Sequence, residues 1–148
     1  MRRNFKSRNN IHFLNRYIPI LNESISIKGK NNQKRGSIWI NGNEGTYPHC
    51  HFYHNDFKCD EVCICLHTNA YFIHKSHTNK FKNKKEKIIF NKIMESRYEK
   101  DKTITIWRKL VLLWNEVVKN TTNEKFSIDL SKVKQPNYSN ITKTIQDI

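Results

Sequence analysis

The sequence predicts an α+β fold, a small, mostly antiparallel sheet with two C-terminal helices packed on one face. Three observations predict it. Apolar and polar residues alternate through the first half of the chain, apolar residues recur at three and four in the second half, and strands come before helices. A length of 148 residues is that of one ordinary domain, and the 11% aromatic content can build a core although only 36% of residues are hydrophobic. A single domain over residues 1–148 is therefore expected.

Residues 1–21 read as a basic N-terminal arm, with a short helical pattern through Ile11, Leu14 and Ile18 that Pro19 ends. Ile25 and Ile27 alternate with polar neighbours, as in a half-buried strand. Residues 29–36 read as a polar, basic turn, and Ile38 and Ile40 resume a strand, so a hairpin is expected. Asn41 to Gly45 is a turn rich in glycine. Residues 49–54 alternate again, and in residues 60–66 Val62, Ile64 and Leu66 share a face opposite Cys63 and Cys65. Residues 70–74 form a short extended piece.

The first helix is expected over residues 84–98, through Ile89, Phe90, Ile93 and Met94. The second runs from about 104 to 118 with Trp107, Leu110, Val111, Trp114, Val117 and Val118 on one stripe, capped by Asp101 or Thr103. Residues 126–130 could be a last strand or turn, and the polar tail from about 136 to 148 reads as loosely held.

No apolar run is long enough for a membrane span, and the basic start leads to no secretory core, so a cytoplasmic protein with no membrane partner is expected. Cys50, Cys59, Cys63 and Cys65 are then expected as reduced thiols. The formal charge of +14 is unevenly spread. Residues 1–40 carry a net +8, residues 41–74 a net −3 and residues 75–102 a net +6. Two basic blocks flank a mildly acidic middle. Such segregation makes a directional field of the kind that captures phosphate backbones. Arg2, Arg3, Arg8 and Arg16 offer planar contacts beside aromatic rings, Lys28, Lys30, Lys34 and Arg35 line the first hairpin, and Lys80, Lys82, Lys84, Lys85 and Lys87 offer point charges for backbone contact.

Pro48-His49-Cys50-His51-Phe52 is the most distinctive short motif. On a strand His49 and His51 stand side by side while Cys50 and Phe52 face the other way. Paired imidazoles could divide acid and base roles in cleaving a phosphodiester, or simply hydrogen-bond within a sheet. Metal binding would need further ligands from His54, Asp56, Cys59, Cys63, His67, His74 and His77 nearby, with His49, His51, Cys59 and Cys63 as the candidate set, but Cys59-x3-Cys63-x-Cys65 does not match paired zinc knuckles, and Cys63 and Cys65 read as small buried residues. No cofactor and no metal are expected. P-loop, dinucleotide and serine-hydrolase signatures are absent.

The run from Ile38 to Gly45, the Pro48-His49-Cys50-His51-Phe52 element, the strand at 62–66 and the late helix with Leu113-Trp114 resemble a family of small uncharacterised bacterial proteins known only as a domain of unknown function. The resemblance covers roughly residues 37–118. The chain departs from it in Cys50, in the lysine-rich segment 75–87 and in the basic arm. The resemblance implies a compact bacterial or phage α+β domain and, since the family has no settled activity, it points to no particular function. The functional expectation therefore rests on the basic blocks: a non-catalytic protein that binds RNA or a ribonucleoprotein, with an inhibitor of an RNA-guided defence nuclease from a phage or mobile element as a narrower form. An effector protein with an acidic surface would meet the same blocks. The alternative is a phosphodiesterase or nuclease using His49 and His51.

Overall fold

The computed structural model describes residues 24–41, 47–74, 77–120 and 126–146. Its main sheet has six strands: β1 (Ser24–Lys28), β2 (Lys34–Trp39), β3 (His49–His54), β4 (Val62–Cys65), β5 (Ala70–Ile73) and β8 (Lys143–Gln146), in the order β1-β2-β3-β4-β5-β8. Neighbours are antiparallel except β5 and β8, which run parallel. Two helices, α1 (Lys84–Glu95) and α2 (Ile106–Lys119), are separated by a small ribbon of β6 (Arg97–Tyr98) and β7 (Asp101–Thr105). The α+β class and the mostly antiparallel sheet agree with the expectation. Among the described residues no helix is long and apolar enough to cross a membrane.

Alternation decides which residues meet the helices. Ile25, Ile38, Phe52 and Val62 are partners across β1 to β4, and Cys50, Ile64 and Tyr71 across β3 to β5. All are buried in one cluster with Phe90 and Met94 of α1 and Leu110, Val111 and Leu113 of α2. The opposite parity builds a second face from Trp39, His49, His51, Cys63 and Cys65.

Several boundaries differ from the sequence reading. β2 starts at Lys34, so the first turn is only residues 29–33, with Asn31 and Asn32 both at φ 59 in the left-handed region that Asn tolerates. A side chain at Gly36 would collide with the Tyr53 carbonyl oxygen, so this position lets β2 approach β3. α1 ends at Glu95, and Asn83 caps its start by accepting the Glu86 N–H (3.0 Å). α2 starts later than expected because Asp101–Thr105 is β7, and Thr105 caps it by accepting the Arg108 N–H (3.1 Å). The largest correction is the C-terminal segment. Tyr138 and Ile141 are fully buried, the Tyr138 hydroxyl donates to the Cys65 carbonyl (2.7 Å), and β8 completes the sheet. The basic arm over residues 1–21 lies outside the described residues.

Candidate functional site

Hairpin topology determines where the basic blocks fall. In an antiparallel meander, turns alternate between the two ends of the sheet. The β1–β2 turn, the β3–β4 turn and the segment after β5 therefore share one end. Lys28, Lys30, Lys34 and Arg35 belong to the first of these, and Lys80, Lys82, Lys84, Lys85 and Lys87 follow β5 into α1. The β3–β4 turn joins them: the Phe57 ring lies 4.8 Å from that of His54 and 5.7 Å from that of Phe81. Arg35 pairs with Asp56, and the Lys58 N–H donates to Glu86 (2.8 Å).

Of the acids at this end Asp60 is exposed, while Glu86, Glu61 and Asp56 are turned inward or engaged. Glu86 stands inside the lysine run but is buried, accepting from the backbone N–H groups of Lys58 and Lys82 (2.8 Å each). Glu61 accepts from the rings of His51 and His77, and Asp56 is held by Arg35. Meanwhile Lys28, Lys30, Lys34, Lys80, Lys82, Lys84 and Lys85 are exposed, while Arg35 and Lys87 are half-buried. A recess of about 410 Å³ is lined by Lys28, Gly29, Lys30, Gln33, Arg35, His54 and Asp56. Lys28 also reaches Glu99 (3.4 Å) at the margin of a neighbouring cavity. Burial holds His54 below its ordinary value with Arg35 adding to the effect and Asp56 opposing it. Its Nδ1 accepts the Asp56 N–H (3.1 Å), which suits a neutral ring. Arg2, Arg3, Arg8 and Arg16 lie outside the described residues.

The histidine motif lies on the other face. His49 and His51 are both 0% exposed, so a phosphodiester does not reach them in this arrangement. His51 Nδ1 donates to the Glu61 carboxylate (2.7 Å), with the Cys63 sulfur 3.3 Å away, and Trp39 stacks on the ring. His49 Nδ1 donates to the Tyr47 carbonyl (2.8 Å), and its ring stacks on Phe72 at 4.3 Å. His74 follows β5, exchanges backbone hydrogen bonds with His77 (2.8 and 3.3 Å), and brings its ring to 5.2 Å from His49. Trp114, late in α2, also reaches His49, at 5.6 Å between rings.

The grouping His49, His51, Cys59 and Cys63 is not brought together. Cys59 points to the helix-facing side, where its thiol donates to Glu86 (3.8 Å) and is pushed up to about 11, first by burial and then by that carboxylate. Two other sets form instead, His49 with His51 and His74, and His51 with Glu61, Cys63 and His77. Nothing in the spacing of Glu61 from His51 marks the pair in the sequence. Glu86 carried a usable signal, since Asn83-x-x-Glu86 has capping-box spacing. All four cysteines are buried and none is in a disulfide. No family model, curated protein or solved structure matches the chain, so the chemistry of both places rests on their own residues.

Proposed function

We propose that the chain is a non-catalytic RNA-binding protein that holds the phosphate backbone at the end of the sheet carrying both basic blocks. One observation carries the reading. Lysines separated by some fifty positions in sequence, Lys28–Lys34 and Lys80–Lys85, share that end, while the carboxylates Glu61, Glu86 and Asp56 among them are engaged internally. Exposed lysines that outnumber the outward-facing carboxylates around them produce a net positive field, the sequence-independent part of nucleic-acid affinity. The burial of His49 and His51 favours binding over cleavage.

The test is fluorescence anisotropy with a short single-stranded RNA across a salt series. With about four phosphate contacts, affinity should fall on the order of fifty-fold between 50 and 200 mM salt. The pairs Lys30→Glu with Lys34→Glu, and Lys84→Glu with Lys85→Glu, should each weaken binding and flatten the salt slope while leaving the circular dichroism unchanged. A flat salt response, or sensitivity to one pair alone, overturns the single-surface reading. Capture of an acidic protein in place of RNA would redirect it to that partner. Inhibition of an RNA-guided nuclease is the narrower form of the proposal, read as lost target cleavage when the chain is added.

A further inference from the structure

Beyond polyanion binding, and independent of it, the second face of the sheet gathers three buried histidines into one cluster. His49 and His51 project from β3 and His74 from the end of β5, so their rings meet above β4, the strand between them. The β4 residues partnering His49 and His51 are Cys65 and Cys63, whose small side chains leave room for imidazoles from both sides. The three rings offer nitrogen atoms within 4.8 Å of one another. All three residues are buried, with His49 and His51 at 0% and His74 at 4% exposure.

Tautomers follow from the hydrogen bonds. The Tyr47 carbonyl and the Glu61 carboxylate can only accept, so His49 and His51 carry their protons on Nδ1. The lone pair each neutral ring can offer is then on Nε2. Backbone carbonyl and carboxylate partners on the remote nitrogens are the outer-shell pattern that orients metal-ligating histidines and raises their basicity.

The ring spacing fits the same centre. A tetrahedral zinc with Zn–N near 2.05 Å sets ligand ring centroids about 5.2 Å apart. The observed separations are 5.2 Å for His49–His51, 5.2 Å for His49–His74 and 6.0 Å for His51–His74. We infer that His49, His51 and His74 form a binding site for a divalent transition metal of the zinc class, with Glu61 and the Tyr47 carbonyl as orienting partners. An all-imidazole donor set suits zinc, copper or nickel and disfavours magnesium and calcium, which take oxygen ligands. The competing set of His51, Glu61, Cys63 and His77 is accounted for by hydrogen bonds to one carboxylate, from His51 Nδ1 at 2.7 Å and His77 Nδ1 at 3.1 Å. That carboxylate also lends the buried centre negative charge. A metal there would tie β3 to β5 across β4.

The test uses the full chain, stripped with a chelator and titrated with Zn²⁺ alone, read by native mass spectrometry and calorimetry. One zinc per chain is expected. His74→Ala should weaken binding by a hundredfold or more and Glu61→Gln by about 10–100-fold. Cys63→Ser should change it by less than a few-fold. Wild-type chain showing no uptake, binding that survives His74→Ala, or equal dependence on Cys63 would each overturn the assignment. Should His74→Ala fail to fold, ¹⁵N spectra of the wild-type histidines decide. Zinc must shift Nε2 of His49 and His51 together with a ring nitrogen of His74, and shifts centred on Nδ1 of His51 and His77 would refute the site.

Discussion

On β3 and β4, alternate residues of the same two strands build two different interiors. Towards the helices, Cys50, Phe52, Val62 and Ile64 meet Phe90 and Met94, and the contacts are apolar and aromatic. Phe52 alone packs edge-on to Phe90 at 4.9 Å and to Phe81 at 5.9 Å. Away from them, His49, His51, Cys63 and Cys65 meet Phe72 and His74 with equal burial but with ring nitrogens in place of methyl groups. Burying a polar ring costs free energy that only a partner offsets. On this face the partners are the Tyr47 carbonyl, the Glu61 carboxylate and, in the proposal above, a metal ion, whereas the helix-facing side needs only to be filled.

Truncation on each side gives the largest expected effect and the most direct way to break the comparison. Phe52→Ala removes a fully buried ring and should destabilise the chain by about 3–5 kcal/mol in urea denaturation. Phe72→Ala, equally buried and stacked on His49, should cost a similar amount. A Phe72→Ala loss under half that of Phe52→Ala would mean that the imidazole side is loosely packed and not a core at all.

Next in size is Glu86→Gln. Its two oxygens accept separate N–H groups, Lys82 on Oε1 and Lys58 on Oε2. The amide can accept only one and turns a donor towards the other. A loss of about 1.5–3 kcal/mol is expected, measured by the same denaturation. Stability unchanged within error would mean that Glu86 does not hold the lysine segment against the β3–β4 turn.

The two faces were not equally legible. Period-two alternation was enough to set His49 and His51 on one side and Cys50 and Phe52 on the other, because strand parity is local. That His74 joins them depends on the pairing of β4 with β5 and on its register, Ile64 with Tyr71, which places Phe72 and His74 on the imidazole side and which strand alternation alone does not set. β8 was invisible for a related reason. Lys143–Gln146 carries one apolar residue, Ile145, and is held by backbone hydrogen bonds to β5 that any sequence can make. The helical period of Ile104, Trp107 and Val111 places the start of α2 early, whereas Thr105 marks the true boundary by capping. In the basic blocks the residues were readable, but their meeting at one end required the number of turns between them.

Tyr138→Phe sharpens the comparison from the tail, because its hydroxyl reaches the Cys65 carbonyl on the imidazole-bearing strand while its ring packs edge-on to Phe90 at 5.2 Å. Losing the hydroxyl alone should cost about 1 kcal/mol and speed proteolysis after residue 136. An unchanged digestion pattern would show that β8 and Ile141 hold the tail without it.

The smallest expected effect separates the faces by pH. Burial lowers His67, which stacks on Tyr47 beside the imidazole face, with the Pro48 backbone opposing the shift. Burial also lowers His54, which lies against Phe57 on the helix side. A histidine whose folded value is depressed leaves stability intact above its ordinary value near 6.5 and takes it away as pH falls through the folded value. The urea midpoint should therefore hold from pH 8 to 7 and drop below about 6.5, by less than any substitution above. His67→Phe should flatten that drop more than His54→Phe, because His54 keeps a compensating carboxylate in Asp56 whereas His67 has only a backbone group. Equal flattening would assign the acid sensitivity to both faces, and no flattening by either would mean that neither histidine carries it.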